Sequence, residues 1–528
     1  MMRVVVLFLA LVLAGCTAQK QGLRYFHLSM LNEADLLFVE EDYYGAAILY
    51  HRILEANPAH PLANLRYGVC LLHTREKKKE ALTYLERVES TDFPEIHYYT
   101  GRALHYQERF NDAVLAFERY LESADRAIPS PEVQSEKARS LRAKELYSRP
   151  ANIRIENLGP NVNSPWPDYV PVIDAAGTTL YFTSRRKGGT GGRLDPNGAF
   201  FEDVYRTTWV DGVWSPAENI GPPVNTPSHD ASVALSPSGN KMLIYRTNDA
   251  QTGGDIYITE LKAGGWTEPE LFSGKLNSRH FEPSACFSPD ERSIIFSSNR
   301  PGGFGGKDLY RIVLLPDGSW SEPLNLGPSI NTSGHEDAPF VSPDGKFLFF
   351  SSTSHNSIGG YDIYKASYNP QTGFFENPEH LGYPINTVFD DIYLVTDASG
   401  KSGYYSTNKA GGHGGHDLYR VDFGAPDPKI LVKGVMRDHQ NNPLRAEIHV
   451  YQQDELDAEP MVFVSNAQTG KYLMVLNPAT RYRVEMNALD FETLELEMQY
   501  EGEWREQITE MNRDFTLTPI HGQSSNER

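Results

Sequence analysis

Five carboxylates recur at one position in this chain. An acid stands six residues ahead of a repeating turn at Asp168, Asp230, Glu282, Glu336 and Asp391. The turn is intact at Ser342-Pro343-Asp344-Gly345, with variants at Ser236-Pro237-Ser238-Gly239 and Ser288-Pro289-Asp290. Its Pro presets the first corner, its Asp caps, and its Gly takes positive φ. If each turn closes a hairpin, each acid opens the strand before it. Set around a channel, five like charges would ring one mouth and draw a cation or a basic peptide. Oxygen donors of this kind suit Ca²⁺ or Mg²⁺. The plainer alternative is structural: each acid holds the backbone of a neighbouring sheet.

Other candidate chemistry is thin. His413 and His416 flank Gly414-Gly415 at a spacing that could serve a metal, but the equivalent loops carry Phe304 or Ser357, which points to a polar loop. Tyr404-Tyr405 could stack on a sugar, although Tyr in strands usually packs. Gly-x-Ser-x-Gly, the nucleophile elbow, is missing. So are His-Glu-x-x-His, a P-loop and a dinucleotide fingerprint. The expectation is no catalytic residue, no cofactor beyond a divalent cation at that mouth, and no enzyme. Cys70 and Cys286 sit on apolar strips, Val69-Cys70-Leu71 and Ala285-Cys286-Phe287, and read as buried small hydrophobes. The third cysteine, Cys16, belongs to the leader, so no disulfide framework is expected.

The elements that place the acids are legible in a second phrase. Asp203-Val204-Tyr205-Arg206, Asp255-Ile256-Tyr257-Ile258, Asp308-Leu309-Tyr310-Arg311, Asp362-Ile363-Tyr364-Lys365 and Asp417-Leu418-Tyr419-Arg420 recur at steps of 52, 53, 54 and 55 residues. A fixed period of this size marks a radial array of small sheets. One unit runs from Phe281 through Ser293–Ser298, a Gly-rich loop and Asp308–Arg311 to Trp320–Gly327: four β-rich runs, one propeller blade. Ile153–Gly159 matches the end of a blade but precedes the first. It can complete the fifth and remove an open edge. The unit resembles the TolB-type propeller repeat, which implies a five-bladed β-propeller over 150–424.

The flanks differ. Residues 24–148 show helical period, with Gly68 and Gly101 where helices must approach and Pro58, Pro61 and Pro94 between units. The spacing of about 34 residues resembles the tetratricopeptide (TPR) repeat; three hairpins reach the minimum for a solenoid, and Pro131–Tyr147 can cap it. The resemblance implies an all-α array that offers a concave surface to a partner. The run Arg75–Glu80 reads as a solvated turn. Residues 429–520 suggest strands at Ile430–Met436, Ala446–Tyr451, Met461–Ser465, Lys471–Val475, Arg481–Met486 and Arg513–Leu517. Lys433-Gly434-Val435, Pro443-Leu444 and Thr469-Gly470-Lys471-Tyr472 resemble the carboxypeptidase regulatory-like domain, which implies a transthyretin-type β-sandwich without catalysis.

The chain has 528 residues, 40% of them apolar, and a formal net charge of −20. The acidity argues against a nucleic-acid partner. Arg3, the apolar run Val4–Val12 and Leu13-Ala14-Gly15-Cys16 read as a leader over 1–15. That last tetrapeptide resembles the bacterial lipobox, which implies lipidation of Cys16 and a membrane held through the lipid. Thr17 in place of Asp favours the outer membrane, facing the periplasm. The module order resembles the PorE-like envelope lipoproteins of the type IX (Por) secretion system of Bacteroidetes. That resemblance implies a periplasmic protein-binding scaffold whose partners are envelope or secretion-system proteins. Those relatives usually carry an OmpA-like domain that grips peptidoglycan; the sequence in hand runs to Arg528 without one, which puts direct peptidoglycan contact in doubt. The competing expectation is a module that binds glycan, peptidoglycan fragments or peptide at the propeller mouth.

Overall fold

The computed structural model describes residues 29–74, 77–89, 93–123, 127–195, 198–247, 253–272, 275–424, 429–453, 460–478, 480–500 and 508–520. Cys16 and the leader lie outside them. The contacts divide the chain into two compact units, Met1–Phe423 and Gly424–Arg528.

The first unit begins with a run of helices. Helix α1 covers 29–39; α2 to α7 cover Tyr43–Ala56, Pro61–His73, Ala81–Leu85, Ile96–Tyr106, Phe110–Glu122 and Ser130–Ser148. Asp42 caps α2 by accepting from the Gly45 N–H at 2.9 Å, and Pro61 opens α3 where its missing N–H costs nothing. The close approaches need glycine. A Cβ on Gly68 or Gly101 would fall 2.6 Å from Leu85 or Phe117. Of the run Arg75–Glu80, read as a solvated turn, Arg75 and Glu76 lie outside the described residues and Lys77 and Glu80 are exposed, while Lys78 and Lys79 are partly buried, their ammonium groups 4.9 Å from the Tyr106 ring and 5.3 Å from the Phe389 ring. No helix among the described residues is long and apolar enough to cross a membrane.

The rest of the unit is a β-propeller region of antiparallel sheets. Each begins with a strand opened by, or just after, one of the recurring acids. The first four run in chain order from Asp168–Ile173, Asp230–Leu235, Ala285–Phe287 and Glu336–Val341. The fifth holds Asp391–Thr396, Ser402–Thr407 and Asp417–Phe423, and its outer strand is Ile153–Asn157, paired Ile153 to Phe423 through Asn157 to Tyr419. The first strand of each sheet lies against that of the next, and that of the fifth lies against that of the first. The turn chemistry is as read: Gly345 holds φ 72°, and Glu291, at the same place in the third turn, holds φ 55°.

The helices do not stand apart from the sheets. Ile358, Val388 and Phe389, from loops of the fourth and fifth sheets, belong to the same apolar core as α2 to α7. His105 on α5 reaches the Ile358 carbonyl at 2.8 Å, and Tyr147 on α7 stacks on Tyr383 at 4.1 Å. The change near residue 149 is one of secondary structure, not a gap in packing.

The second unit is two four-stranded sheets. One joins Lys471–Leu476, Lys429–Asp438, Ile508–Asn512 and Phe515–Leu517, the last two parallel to the long strand. The other runs Met461–Val464, Glu447–Gln452, Arg481–Asn487, Leu494–Gln499. Both contribute to one core that includes Ile430, Val432, Ile448, Val450, Met474 and Val484. The strands Leu494–Gln499 and Ile508–Asn512 are additional to those read from the sequence, and Arg513 lies between strands.

Candidate functional site at the sheet junctions

The five acids sit at equivalent places and are all buried, none more than 1% exposed. Each carboxylate turns back on its own connecting segment and accepts the N–H and hydroxyl of the residue four before it. Asp168 takes Ser164 at 2.6 and 2.7 Å. Asp230 takes Thr226 at 2.6 Å twice, and Glu282 takes Ser278 at 3.1 and 2.7 Å. Glu336 takes Thr332 at 2.8 and 2.6 Å, and Asp391 takes Thr387 at 2.6 and 2.9 Å.

A second partner comes from the end of the next strand. Arg186 meets Asp168 at 2.7 Å and Arg246 meets Asp230 at 2.6 Å. Ser298 donates to Glu282 at 2.6 Å, with Arg300 at 3.2 Å; Ser352 donates to Glu336 at 2.7 Å. Burial raises Asp168 above the usual carboxylate range although Arg186 opposes it. In the fifth sheet burial pushes Asp391 up to about 7 against the Thr407 hydroxyl, and burial lowers Lys409 to about 8. A buried ion must be paired and hydrogen-bonded to be tolerated; these partners supply that for Asp168, Asp230, Glu282 and Glu336, whereas Oδ1 of Asp391 is buried without a hydrogen-bond partner.

The open ring of charge read from the sequence is therefore corrected. Asp168, Asp230, Glu282, Glu336 and Asp391 are one per sheet, and their charge is used inside the sheets because each must satisfy the turn that feeds its strand. The structure does not gather them into one ligand set. Among the described residues no group of three or more His, Cys, Asp or Glu side chains could hold a metal ion. The link to the neighbouring sheet is made by backbone: Asp168, Asp230, Glu336 and Asp391 donate their N–H groups to the carbonyls of His416, Glu202, Lys307 and Tyr361 at 2.7–2.9 Å.

The larger finding is a residue type that the sequence reading missed. Asn163, Asn225, Asn277, Asn331 and Asn386 stand five before each acid. Each carboxamide accepts the N–H and donates to the C=O of one residue in the preceding sheet: Leu418, Val204, Ile256, Leu309 and Ile363 in turn, at 2.7–3.0 Å. Those are the middle residues of the Asp-x-Tyr phrases. The signal was present as Asn-[Ser/Thr]-x-x-x-[Asp/Glu], five times over.

The phrase's own Asp completes the network. Asp203, Asp308 and Asp417 accept from Asn219, Asn325 and Asn157 at 2.7, 2.7 and 3.0 Å. Those asparagines in turn accept from Asn225, Asn331 and Asn163 at 2.8, 2.8 and 2.9 Å. In the fourth sheet His380 Nε2 takes the asparagine's place against Asp362 at 2.8 Å. The second sheet departs: Leu271, 55% exposed, stands where the others have Asn or His, and burial and Glu282 raise Asp255. His413 donates its N–H to Asp417, and His416 offers its carbonyl to Asp168. Cys70 and Cys286 are both buried and free, and burial pushes each thiol up to about 12.

No family model matches the chain. No curated protein matches it. Solved structures that it is similar to include a TolB-type protein from Agrobacterium tumefaciens, 16% identical over 62% of this chain and 97% of that one, with a TM-score of 0.32. Another is XC5397 from Xanthomonas campestris, described as a gluconolactonase, 15% identical over 53% of this chain and 92% of that one, at 0.30. A chlorocatechol 1,2-dioxygenase from Pseudomonas putida is 14% identical over 18% of this chain and 67% of that one, at 0.15. Likenesses this loose carry no argument about activity. The propeller region rests on its own sheet order.

Proposed function

We propose that the chain is a non-enzymatic scaffold of the bacterial envelope that binds proteins. In this reading residues 150–424 are a closed five-bladed, TolB-like propeller, 24–148 a TPR-like array, and 429–520 a carboxypeptidase regulatory-like sandwich. Cys16 carries the lipid that holds the chain on the periplasmic face of the outer membrane. The partners are envelope proteins, those of type IX secretion or gliding machinery first among them.

One observation carries the reading. The polar groups that recur from sheet to sheet, which would be the first candidates for chemistry, are engaged by the fold: the asparagines join neighbouring sheets and the acids hold the segments that feed their strands. That arrangement supports a rigid platform. The helical end adds a surface: Leu36, Val39, Tyr44 and Ile48 of the first hairpin are 43–74% exposed, the kind of apolar grouping that marks a protein contact.

The test is crosslinking in cells followed by purification of the chain. Recovery of a defined envelope partner, lost when Leu36 and Val39 are both changed to Ser, is the expected result. A reproducible absence of any partner would sink the scaffold reading, and turnover in a broad hydrolase screen would sink the non-enzymatic one. Labelling with a radioactive fatty acid, abolished by Cys16→Ala, tests the anchor.

A further inference from the structure

We infer that the propeller carries a binding site for a neutral carbohydrate in the seam between its fifth and first sheets. The site is a cavity of about 380 Å³ lined by Trp209, Tyr404, Arg420, Asp397, Ser399 and Ser402 among others. That volume lies within the range of small-molecule sites. It opens beside the turns that close the first hairpin of each sheet, Ala175–Gly177 and Asp397–Ser399. The helices dock on other loops, Ile358 and Val388–Phe389.

Three observations point to a ligand. The first is a departure from the repeat. In the second to fourth sheets this turn begins Ser-Pro; in the fifth and first it reads Asp397-Ala398-Ser399-Gly400 and Asp174-Ala175-Ala176-Gly177. Between the second and third sheets the turn region is bridged, with Lys241 meeting Glu291 at 3.0 Å and Ser238 donating to the same carboxylate. Between the fifth and first, the small residues Ala175–Gly177 and Ala398 line the cavity, with no such bridge across it among the described residues.

The second is the lining. Trp209 meets Trp214 edge-on at 5.2 Å, and Trp214 meets Tyr404 at 5.8 Å, which fixes an aromatic row along the seam. Trp209 is 38% exposed, so part of its surface is open to a ligand. Arg420 lines the cavity and is held by Asp422 at 2.9 Å. The third is charge. Asp397 and Arg420 both line the cavity, so a carboxylate opposes an anionic ligand and a guanidinium opposes a cationic one. A neutral polyhydroxylated ring satisfies all of this: its C–H face lies on an aromatic ring, and its hydroxyls donate to carboxylate and accept from guanidinium and serine.

A comparison within the molecule sharpens the assignment. The seam between the fourth and fifth sheets holds a cavity of about 370 Å³ at the same place in the repeat, with Phe349, Lys365 and Phe423 where the first has Tyr404, Arg420 and Trp209. Its lining is mostly apolar, and its charged groups are Asp344 and Lys365, with no guanidinium. The carbohydrate is assigned to the polar seam alone.

The site is independent of the scaffold reading, and its test is separate. Calorimetry on the purified chain would use chitohexaose, cellohexaose and maltohexaose as probes, with a proline-rich peptide as a further arm. The expected result is saturable binding of at least one hexasaccharide, weakened at least about tenfold by Trp209→Ala or Arg420→Gln and unchanged by Lys365→Ala. Arg420→Gln, at a partly exposed side chain, keeps the test open if Trp209→Ala fails to fold. No saturable heat with any of the three sugars up to about 10 mM overturns the proposal. So does equal binding by folded Arg420→Gln, or saturation by the peptide alone.

Discussion

Asn331 and Leu309 form a closed pair across two sheets. The carboxamide of Asn331 accepts the Leu309 N–H at 2.8 Å and donates to the Leu309 C=O at 3.0 Å, as a backbone partner would. Both residues are at least 98% buried. Asn331→Ala strands a buried donor and acceptor at once, and each orphan costs about 1–3 kcal/mol. The expected loss is about 2–6 kcal/mol in a urea unfolding series. Gln468→Ala, in an exposed turn, should stay within about 0.5 kcal/mol. A loss at Asn331 no larger than at Gln468 would show that the pairing does not hold the sheets.

Asp230→Asn separates a structural acid from a ligand. The variant keeps the shape but breaks the buried pair with Arg246, whose Nε lies 2.6 Å from the carboxylate. Removing one partner of a buried pair costs about 3–5 kcal/mol. The midpoint of unfolding should fall accordingly, and added Ca²⁺ or Mg²⁺ should not shift the melting temperature of the parent chain. A cation-dependent rise that Asp230→Asn abolishes would restore the channel-mouth site.

How much of this was readable depends on whether the signal is local. The acids and the Asp-x-Tyr phrase stand out because each repeats at a nearly fixed offset. The asparagines repeat just as regularly, but their partners lie 21 to 255 residues away; nothing in Asn331 itself announces a bond to Leu309. Burial of the acids was hidden for a related reason. A carboxylate at a strand start reads as solvated until Thr332 and Ser352 are seen converging on Glu336. Packing of helices on sheets is less legible still, since His105 and Ile358 are 253 residues apart. Leu494–Gln499 was legible and missed: Leu494, Leu496 and Met498 alternate with Glu495, Glu497 and Gln499, a period-two strand signal without a flanking turn motif.

The two described cysteines give a kinetic readout of opening. Thiolate is the reactive form, and burial holds both thiols near 12. In a Cys16→Ser variant a disulfide reagent at pH 8 should react slowly, at a rate set by opening of the surrounding structure. Because Cys70 lies among the helices and Cys286 in the third sheet, the two rates report the two regions separately. Stoichiometric labelling within seconds of mixing would contradict the burial of both.

Docking of the helices on the propeller should be sensitive to acid through His105. The imidazole is buried between α5, α7 and the fourth sheet, with Nδ1 3.0 Å from the Ser140 hydroxyl and Nε2 2.8 Å from the Ile358 carbonyl. A carbonyl only accepts, so Nε2 carries the proton and Nδ1 accepts from Ser140. Burial lowers the group from 6.5 to about 3, with Arg139, Arg102 and Arg142 acting in the same direction. A second proton would reverse the Ser140 bond, turning that hydroxyl toward the Glu136 carbonyl 3.2 Å away, and would place a buried cation near those three guanidinium groups. The folded pKa lies below the unfolded one, so the contribution is whole above pH 6.5 and drains away as pH falls from 6.5 toward 3. The melting temperature of the chain should therefore decline through that window. His105→Gln, which cannot take up the proton, should start lower at pH 7.5 by about 1–2 kcal/mol for imperfect hydrogen bonding and lose less on acidification. Parallel curves for the parent and His105→Gln would remove His105 from the account and leave the carboxylates as the acid-sensitive groups.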